Sequence, residues 1–293
     1  MGLDSESEPF VACTYGPSGV GKTTDNGYSF PNALFLAAPG ALTSITKTCG
    51  YTPTSASVAT IEDAIAVIEK LKGTKYDTVV IDDFSFMAEQ TFSALEQDKR
   101  YSGFKLWGKM RDVALKFRDK SRYCGINVVL NCWEQPPKSK TDGSRVRGGP
   151  QLSGKLPESI PALCDVVLQV QHENMRKPWP YVYRGVPNPS YVRKDRYNVA
   201  SNVDPAPMNL AELLRAGGVH VSRHEAISEE LVQELSEAFT GNPANDVALA
   251  NEVFATMVGN GRAAHHARWI VRDALDRALI RGELDKQNTS FFG

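Results

Sequence analysis

Residues 10–24 read FVACTYGPSGVGKTT, an apolar run that breaks into a glycine-rich stretch and resumes at Lys22. The spacing of Gly16, Gly21, Lys22 and Thr23 is that of a G-x-x-x-x-G-K-[ST] loop. The mechanics of such a loop explain its residue types. Glycines let backbone N–H groups turn inward around a phosphate, and the helix N-terminus behind them adds its positive dipole end. Phe10–Tyr15 is predicted as the strand that enters the loop, and a helix from Lys22 as the element that leaves it. Asn26-Gly27 and Pro31 keep that helix short. Gly16, Pro17, Ser18, Gly19, Val20, Gly21, Lys22, Thr23 and Thr24 are the candidate nucleotide-binding residues. Lys22 is expected at the β- and γ-phosphates, and the Thr23 hydroxyl at Mg²⁺.

A second stretch, KYDTVVIDDFS at 75–85, supplies the acid that such a site needs. Asp82 follows the apolar run TVVI directly and is expected to hold the magnesium through water, with Asp83 beside it. ATP with Mg²⁺ is the ligand pair these two stretches imply.

Strands are also predicted at Ala33–Ala38, Thr78–Ile81, Ile126–Asn131, Asp165–Gln171 and Tyr181–Gly185, the last two flanking a turn over 174–180. Thr60–Leu71 is predicted as an amphipathic helix that opens on a Thr60 to Asp63 capping box, and Phe104–Arg118 as another helix. From about 208 onward only helical periodicity remains. Strands alternating with helices indicate an α/β fold with a mainly parallel sheet flanked by helices. The expected divisions are an acidic tail over 1–9, a core over 10–218 and a C-terminal helical segment over 219–293, the last a cap or an oligomerisation element.

Composition excludes several classes. Hydrophobic content of 42% and charged content of 23% fit a soluble globular chain, and no apolar run reaches membrane-spanning length. The acidic N-terminal stretch lacks the features of a signal peptide, so the expected location is cytoplasmic. Five irregularly spaced cysteines read as reduced core thiols, with neither a disulfide framework nor a zinc pattern. His265 and His266 are adjacent, pointing ~100° apart on a helix, and read as solvated.

The net charge of −1 conceals an uneven distribution. Residues 1–98 carry −8, residues 99–200 carry +12 and residues 201–293 carry −5. A basic middle third implies either a polyanion partner or neutralisation by the acidic flanks.

The phosphate loop YGPSGVGKTT, the following FPNALFL and the acidic strand VVIDDFSFM resemble the bacteriophage RecA-core ATPases of the Sak type, associated with single-strand annealing and recombination. LWGKM, INVVLN, PQLSGKLPESIPALCDVVLQV, VRKDR and PMNLAELLRAGG extend the resemblance over about residues 10–218. It implies a RecA-like P-loop NTPase core, ATP and Mg²⁺ as ligands, single-stranded DNA as partner and assembly of the chain into a ring or filament. A single-strand-binding protein is a further expected partner. It also implies that Lys194 and Arg196, in VRKDR, act in trans on a neighbour's γ-phosphate; read without it, this triplet is a solvated edge.

The pattern breaks at the catalytic base. The glutamate usual in RecA-like enzymes falls on Pro39, which cannot act as a base, so any hydrolysis is expected to be weak or DNA-dependent. Asp83, one methylene shorter than the glutamate of AAA+ proteins, and Glu134, just past the fourth strand, are the remaining candidates, with Asn131 or Gln135 as a polar sensor. The stretch 134–160 reads as a basic mobile loop, and Lys138, Lys140, Arg145, Arg147 and Lys155 are its candidate DNA contacts. Helix 104–118 is expected to bury Phe104, Leu106, Trp107, Met110, Val113, Ala114 and Phe117. Three functions stay open: a DNA-recombination ATPase, a nucleotide-gated structural or regulatory protein with little turnover, and a P-loop kinase with 134–160 as lid.

Overall fold

The structure, a computed structural model, describes residues 9–139, 141, 143–154, 156–173 and 181–291. The acidic tail, Lys140, Lys155 and the turn expected over 174–180 therefore lie, wholly or for the most part, outside the described residues.

Strand β1 (Val11–Gly16) is buried along its whole length and forms the centre of a mainly parallel sheet. Side chains that alternate across it feed two cores. Val11, Cys13 and Tyr15 face one, and Phe10 and Ala12 the other. β5 (Asn127–Gln135) pairs with β1 on one side and β9 (Val166–His172) on the other. Beyond β5 come β4 (Thr78–Asp82), β2 (Leu34–Ala37) and β3 (Ser55–Ser57), all parallel. Beyond β9 the sheet turns antiparallel through β10 (Tyr181–Arg184) and β12 (Ala206–Pro207), while β11 (Lys194–Asp195) pairs with the start of β9. Because β5 separates β1 from β4, the phosphate loop and Asp82 flank the end of one strand. This is the expected α/β P-loop NTPase architecture.

One face of the sheet carries α2 (Ile61–Ile68), α3 (Phe84–Gln97), α4 (Phe104–Tyr123) and α5 (Leu156–Leu163). The capping box of α2 forms as expected, Thr60 N–H donating to Asp63 at 3.0 Å and Asp63 N–H to Thr60 at 3.2 Å. Helix α3 has no counterpart in the sequence reading. It starts because Asp83 accepts from the Ser85 and Phe86 N–H groups as an N-cap. Two apolar positions of α4 differ from expectation. Leu106, Met110, Val113, Ala114 and Phe117 enter the core, but Phe104 is 97% and Trp107 50% exposed.

The stretch over 134–160, expected as a mobile loop, contains regular pairing. β6 (Lys138–Ser139) and β7 (Arg145–Val146) form a hairpin, and β8 (Gly149–Pro150) returns to pair with Glu134 and Gln135 at the end of β5. The strand runs on to Gln135 because these partners continue its ladder.

The other face carries α1 (Lys22–Ser29), α6 (Val199–Asn202), α7 (Leu210–Ala216), α8 (Glu229–Ala238), α9 (Pro243–Gly259) and α10 (Ala264–Phe291). The C-terminal helices share one apolar core with this face of the sheet. Trp269 of α10 is 2% exposed and meets Tyr28 and Tyr51 edge-on, with centroids 6.3 and 5.5 Å away. His224, His265 and His266 gather around the same indole, so the two adjacent histidines are half-buried ring partners rather than solvated. All five cysteines are buried and free. Trp269→Ala is expected to lower unfolding free energy by about 3–5 kcal/mol in a denaturant titration. A loss under about 1 kcal/mol would show that α10 does not belong to the cooperative unit.

Candidate nucleotide site

The loop between β1 and α1 is fixed by its glycines. A Cβ on Gly16 would stand 2.9 Å from the Val170 carbonyl oxygen of β9. Gly19 and Gly21 have φ of 82° and 87°, in the left-handed region that glycine alone enters without strain. Gly21 offers no capping side chain to α1, so the first-turn N–H groups stay open toward the loop. Lys22 is buried and donates from Nζ to the Gly16 and Pro17 carbonyls, both at 2.8 Å. Burial pulls its pKa down, while the charges of Asp83, Asp82 and Glu134 hold it up. Three acids therefore converge electrostatically on one lysine.

Asp82 ends β4 beside Asn131 of β5, and the Asp82–Asp83 peptide is cis. Asn131 is fully buried, and its Oδ1 accepts from Thr14 at 2.7 Å and from Asn26 at 2.8 Å. With its carbonyl so engaged, its amide is left over. Asn131 Nδ2 and Asp82 Oδ2 are buried atoms without a hydrogen-bond partner among the described residues. Burial pushes the Asp82 carboxyl up, opposed by the neighbouring Thr23 hydroxyl, the Asn131 amide and the Lys22 charge. Buried polar atoms rarely stay unpaired. A hard cation beside the carboxylate and a phosphate oxygen beside the amide would satisfy both. The donor set fits Mg²⁺ and a nucleotide phosphate.

The candidate bases differ in freedom. Asp83 Oδ1 accepts from Ser85 N–H at 2.7 Å and Phe86 N–H at 3.2 Å, and burial raises its carboxyl from 3.8 to about 7. One of its two oxygens is engaged in starting α3. Glu134 stands one residue beyond Trp133, which is level with Gly16, and accepts from Gln169 Nε2 at 3.2 Å. Gln169 Oε1 in turn accepts from Arg193 Nε at 3.1 Å. Pro39 follows the end of β2 and lines a separate cleft of about 250 Å³ in which no lining residue is acidic.

Other expected residues are placed elsewhere. Lys194 donates to the Pro161 and Ala162 carbonyls, and Arg196 pairs with buried Asp165 at 2.6 Å. Asp165 also accepts from Arg122 and from the Val11 N–H. This ion cluster sits where β1 and β9 begin, whereas the phosphate loop leaves the end of β1. Within one chain, Lys194 and Arg196 do not reach the phosphate loop. Lys138 and Arg145 are exposed on the hairpin, but Arg147 is tied to the Asn188 and Tyr191 carbonyls. Thr14, Asn26, Gln169 and Arg193 were not anticipated. Asn26 read as a helix breaker, yet Asn26-Gly27 lies inside α1 because Gly27 packs where a Cβ would meet Ile45 at 2.9 Å.

Strand, glycine loop, buried lysine and strand-end aspartate together define a P-loop nucleotide-binding protein. A family profile described as an AAA domain matches residues 8–197. The chain belongs to this P-loop ATPase family, whose members use nucleotide and typically Mg²⁺. No curated protein matches the chain. Among the described residues no helix is long and apolar enough to cross a membrane.

The raised Asp83 carboxyl has a defined consequence for stability. Folding favours its protonated form, so without nucleotide and metal the wild type loses stability as pH rises from about 4 through about 7. Asp83→Asn keeps an N-cap and removes the charge. Its stability relative to wild type is expected to increase across that window in denaturant titrations, and a pH-independent difference would contradict the assignment.

Proposed function

We propose that the protein is a bacteriophage-type RecA-like ATPase that binds ATP with Mg²⁺ and single-stranded DNA and assists recombination or strand annealing. The observation that carries the nucleotide part is the pair of unpartnered buried atoms, Asp82 Oδ2 and Asn131 Nδ2, beside Lys22 and Thr23. Residues 16–24 and Lys22 hold the phosphates, and Thr23 and Asp82 hold the metal. Bound Mg²⁺ supplies charge neutralisation across the β- and γ-phosphates. Lys22 exchanges its two loop carbonyls for phosphate oxygens, and Asn131 offers its amide to the γ-phosphate.

Glu134 orients the attacking water and accepts its proton. It is preferred to Asp83 because the Asp83 carboxylate is used as a helix cap, while Glu134 has one amide donor that fixes its aim. Single-stranded DNA as partner is supported by the +12 charge over residues 99–200. Self-assembly is supported by the position of half-exposed Arg196 at the sheet end opposite the loop. A head-to-tail arrangement would bring one subunit's Arg196 and Lys194 to the next subunit's nucleotide.

A second reading is favoured by one observation. Pro39 and the capped Asp83 remove two of the usual base positions, as in a nucleotide-gated scaffold with little turnover. Phosphate release from ATP, with and without single-stranded DNA and with Lys22→Ala as blank, separates the two. The ATPase reading expects DNA-stimulated release that Glu134→Gln lowers by about 10²-fold or more at retained ATP affinity. ATP binding with no release under either condition would select the scaffold.

A further inference from the structure

Helix α4 presents a surface that its core contacts do not explain. Leu106, Met110, Val113 and Phe117 recur at helical spacing and are buried. One step around the helix lie Phe104, Trp107 and Arg111, at i, i+3 and i+7. Phe104 is 97% exposed, an aromatic ring left in water. Single exposed apolar residues are common. Here two aromatic rings stand one turn apart on one helical face.

The local geometry suits a flat ligand. Trp107 leans on Phe92 of α3, with centroids 5.1 Å apart, which fixes the indole while leaving half of it exposed. A Cβ on Gly154 would lie 3.6 Å from the indole carbons on another side. Gly108 follows Trp107, and a Cβ there would meet nothing within 4 Å, so the face is open beside the ring. The surrounding charge has one sign. Residues 99–111 contain five basic side chains and no acidic one. Lys105 is exposed and Lys109 partly so, and neither forms a salt bridge among the described residues. Arg100 and Arg111 pair with Asp98 and Asp112 at the surface, contacts worth little and readily exchanged.

We propose that the exposed aromatic face of α4, Phe104 and Trp107 with Lys105, Lys109 and Arg111 around them, is a binding platform for single-stranded nucleic acid. This rests on the single-stranded-DNA reading above and moves the principal contact from the hairpin, which has no aromatic residue, to the helix. The cations meet phosphates, and the rings stack on bases. A single strand is required because duplex bases have their faces already stacked. The platform also adjoins the nucleotide site through α3, which begins at Asp83 and packs on α4 through Phe84 against Phe117 and Phe92 against Trp107.

The test is fluorescence anisotropy of labelled oligothymidylate with the full chain in ATP and Mg²⁺, over a range of salt. Phe104→Ala removes a ring with almost no intramolecular contact, and Trp107→Ala tests its neighbour. Each is expected to weaken binding by about 10-fold, while DNA-independent phosphate release stays as in wild type. Lys105→Gln with Lys109→Gln should reduce the salt slope by about 1.4. Binding by wild type with unchanged affinity in both aromatic variants overturns the platform and leaves the single-strand reading standing. A wild-type protein that binds no oligothymidylate overturns both. Aromatic variants that change the sedimenting oligomer but not the DNA affinity make the face a contact between copies of the chain, against the proposal.

Discussion

The hydrogen bonds on Asn131 Oδ1 fix the arrangement of the nucleotide site. This oxygen is wholly buried at the junction of β1, α1 and β5, and it takes two donors, Thr14 from the phosphate-loop strand and Asn26 from the phosphate-loop helix. In this orientation the one carbonyl oxygen satisfies both donors. With its carbonyl committed, its N–H₂ is left for the side of Asp82. Strand order makes this possible, because β5 lies between β1 and β4 and carries the amide to the point where loop and acid meet. Loss of either donor would loosen the amide, and the buried pair of Asp82 and Asn131 would be disturbed with it.

A second buried polar contact joins this site to the C-terminal helices. Asp25 lies in the first turn of α1, three residues past Lys22, and is closed off from water. It accepts from Tyr183 at 2.6 Å and from Arg272 of α10, whose guanidinium also lies over Tyr28 at 4.6 Å and donates to the Met208 carbonyl. Burial raises the Asp25 carboxyl, and the Arg272 charge opposes this. A buried pair of this kind gives little net stability, but removal of one partner leaves an uncompensated charge. The helix that follows the phosphate loop is thus held by residues of β10 and α10.

The phosphate loop, Asp82 and the alternation of strands and helices were legible because they are local: spacing, glycine placement and apolar runs within about a dozen residues. What was not legible depends on pairing across the chain. Glu134 is aimed by Gln169 and Arg193, brought alongside by β9 and β11, and no sequence spacing announces that contact. Arg196 pairs with buried Asp165 within the chain, a contact across 31 residues that its triplet does not announce. Asn26-Gly27 carried the signal of a helix break, overridden by packing against Ile45 and Cys49. Periodicity placed Trp107 and Phe104 in the core, yet helical spacing defines a stripe and not its edges. The stripe that packs into the core begins at Leu106 and runs through Met110 to Phe117. The cap that makes α3 a helix engages one oxygen of Asp83, a contact visible only once its carboxylate is seen on the Ser85 and Phe86 N–H groups.

Asp82, buried with one oxygen unpartnered, is the residue we propose to hold magnesium in a nucleotide site built around Lys22 and Asn131. The most direct measurement is calorimetric titration of a non-hydrolysable ATP analogue into wild type and Asp82→Asn, each with Mg²⁺ and with chelator. Mg²⁺ is expected to strengthen binding in wild type, and this gain to disappear in Asp82→Asn while metal-free affinity is kept. A metal-dependent gain of the same size in both proteins would contradict this assignment.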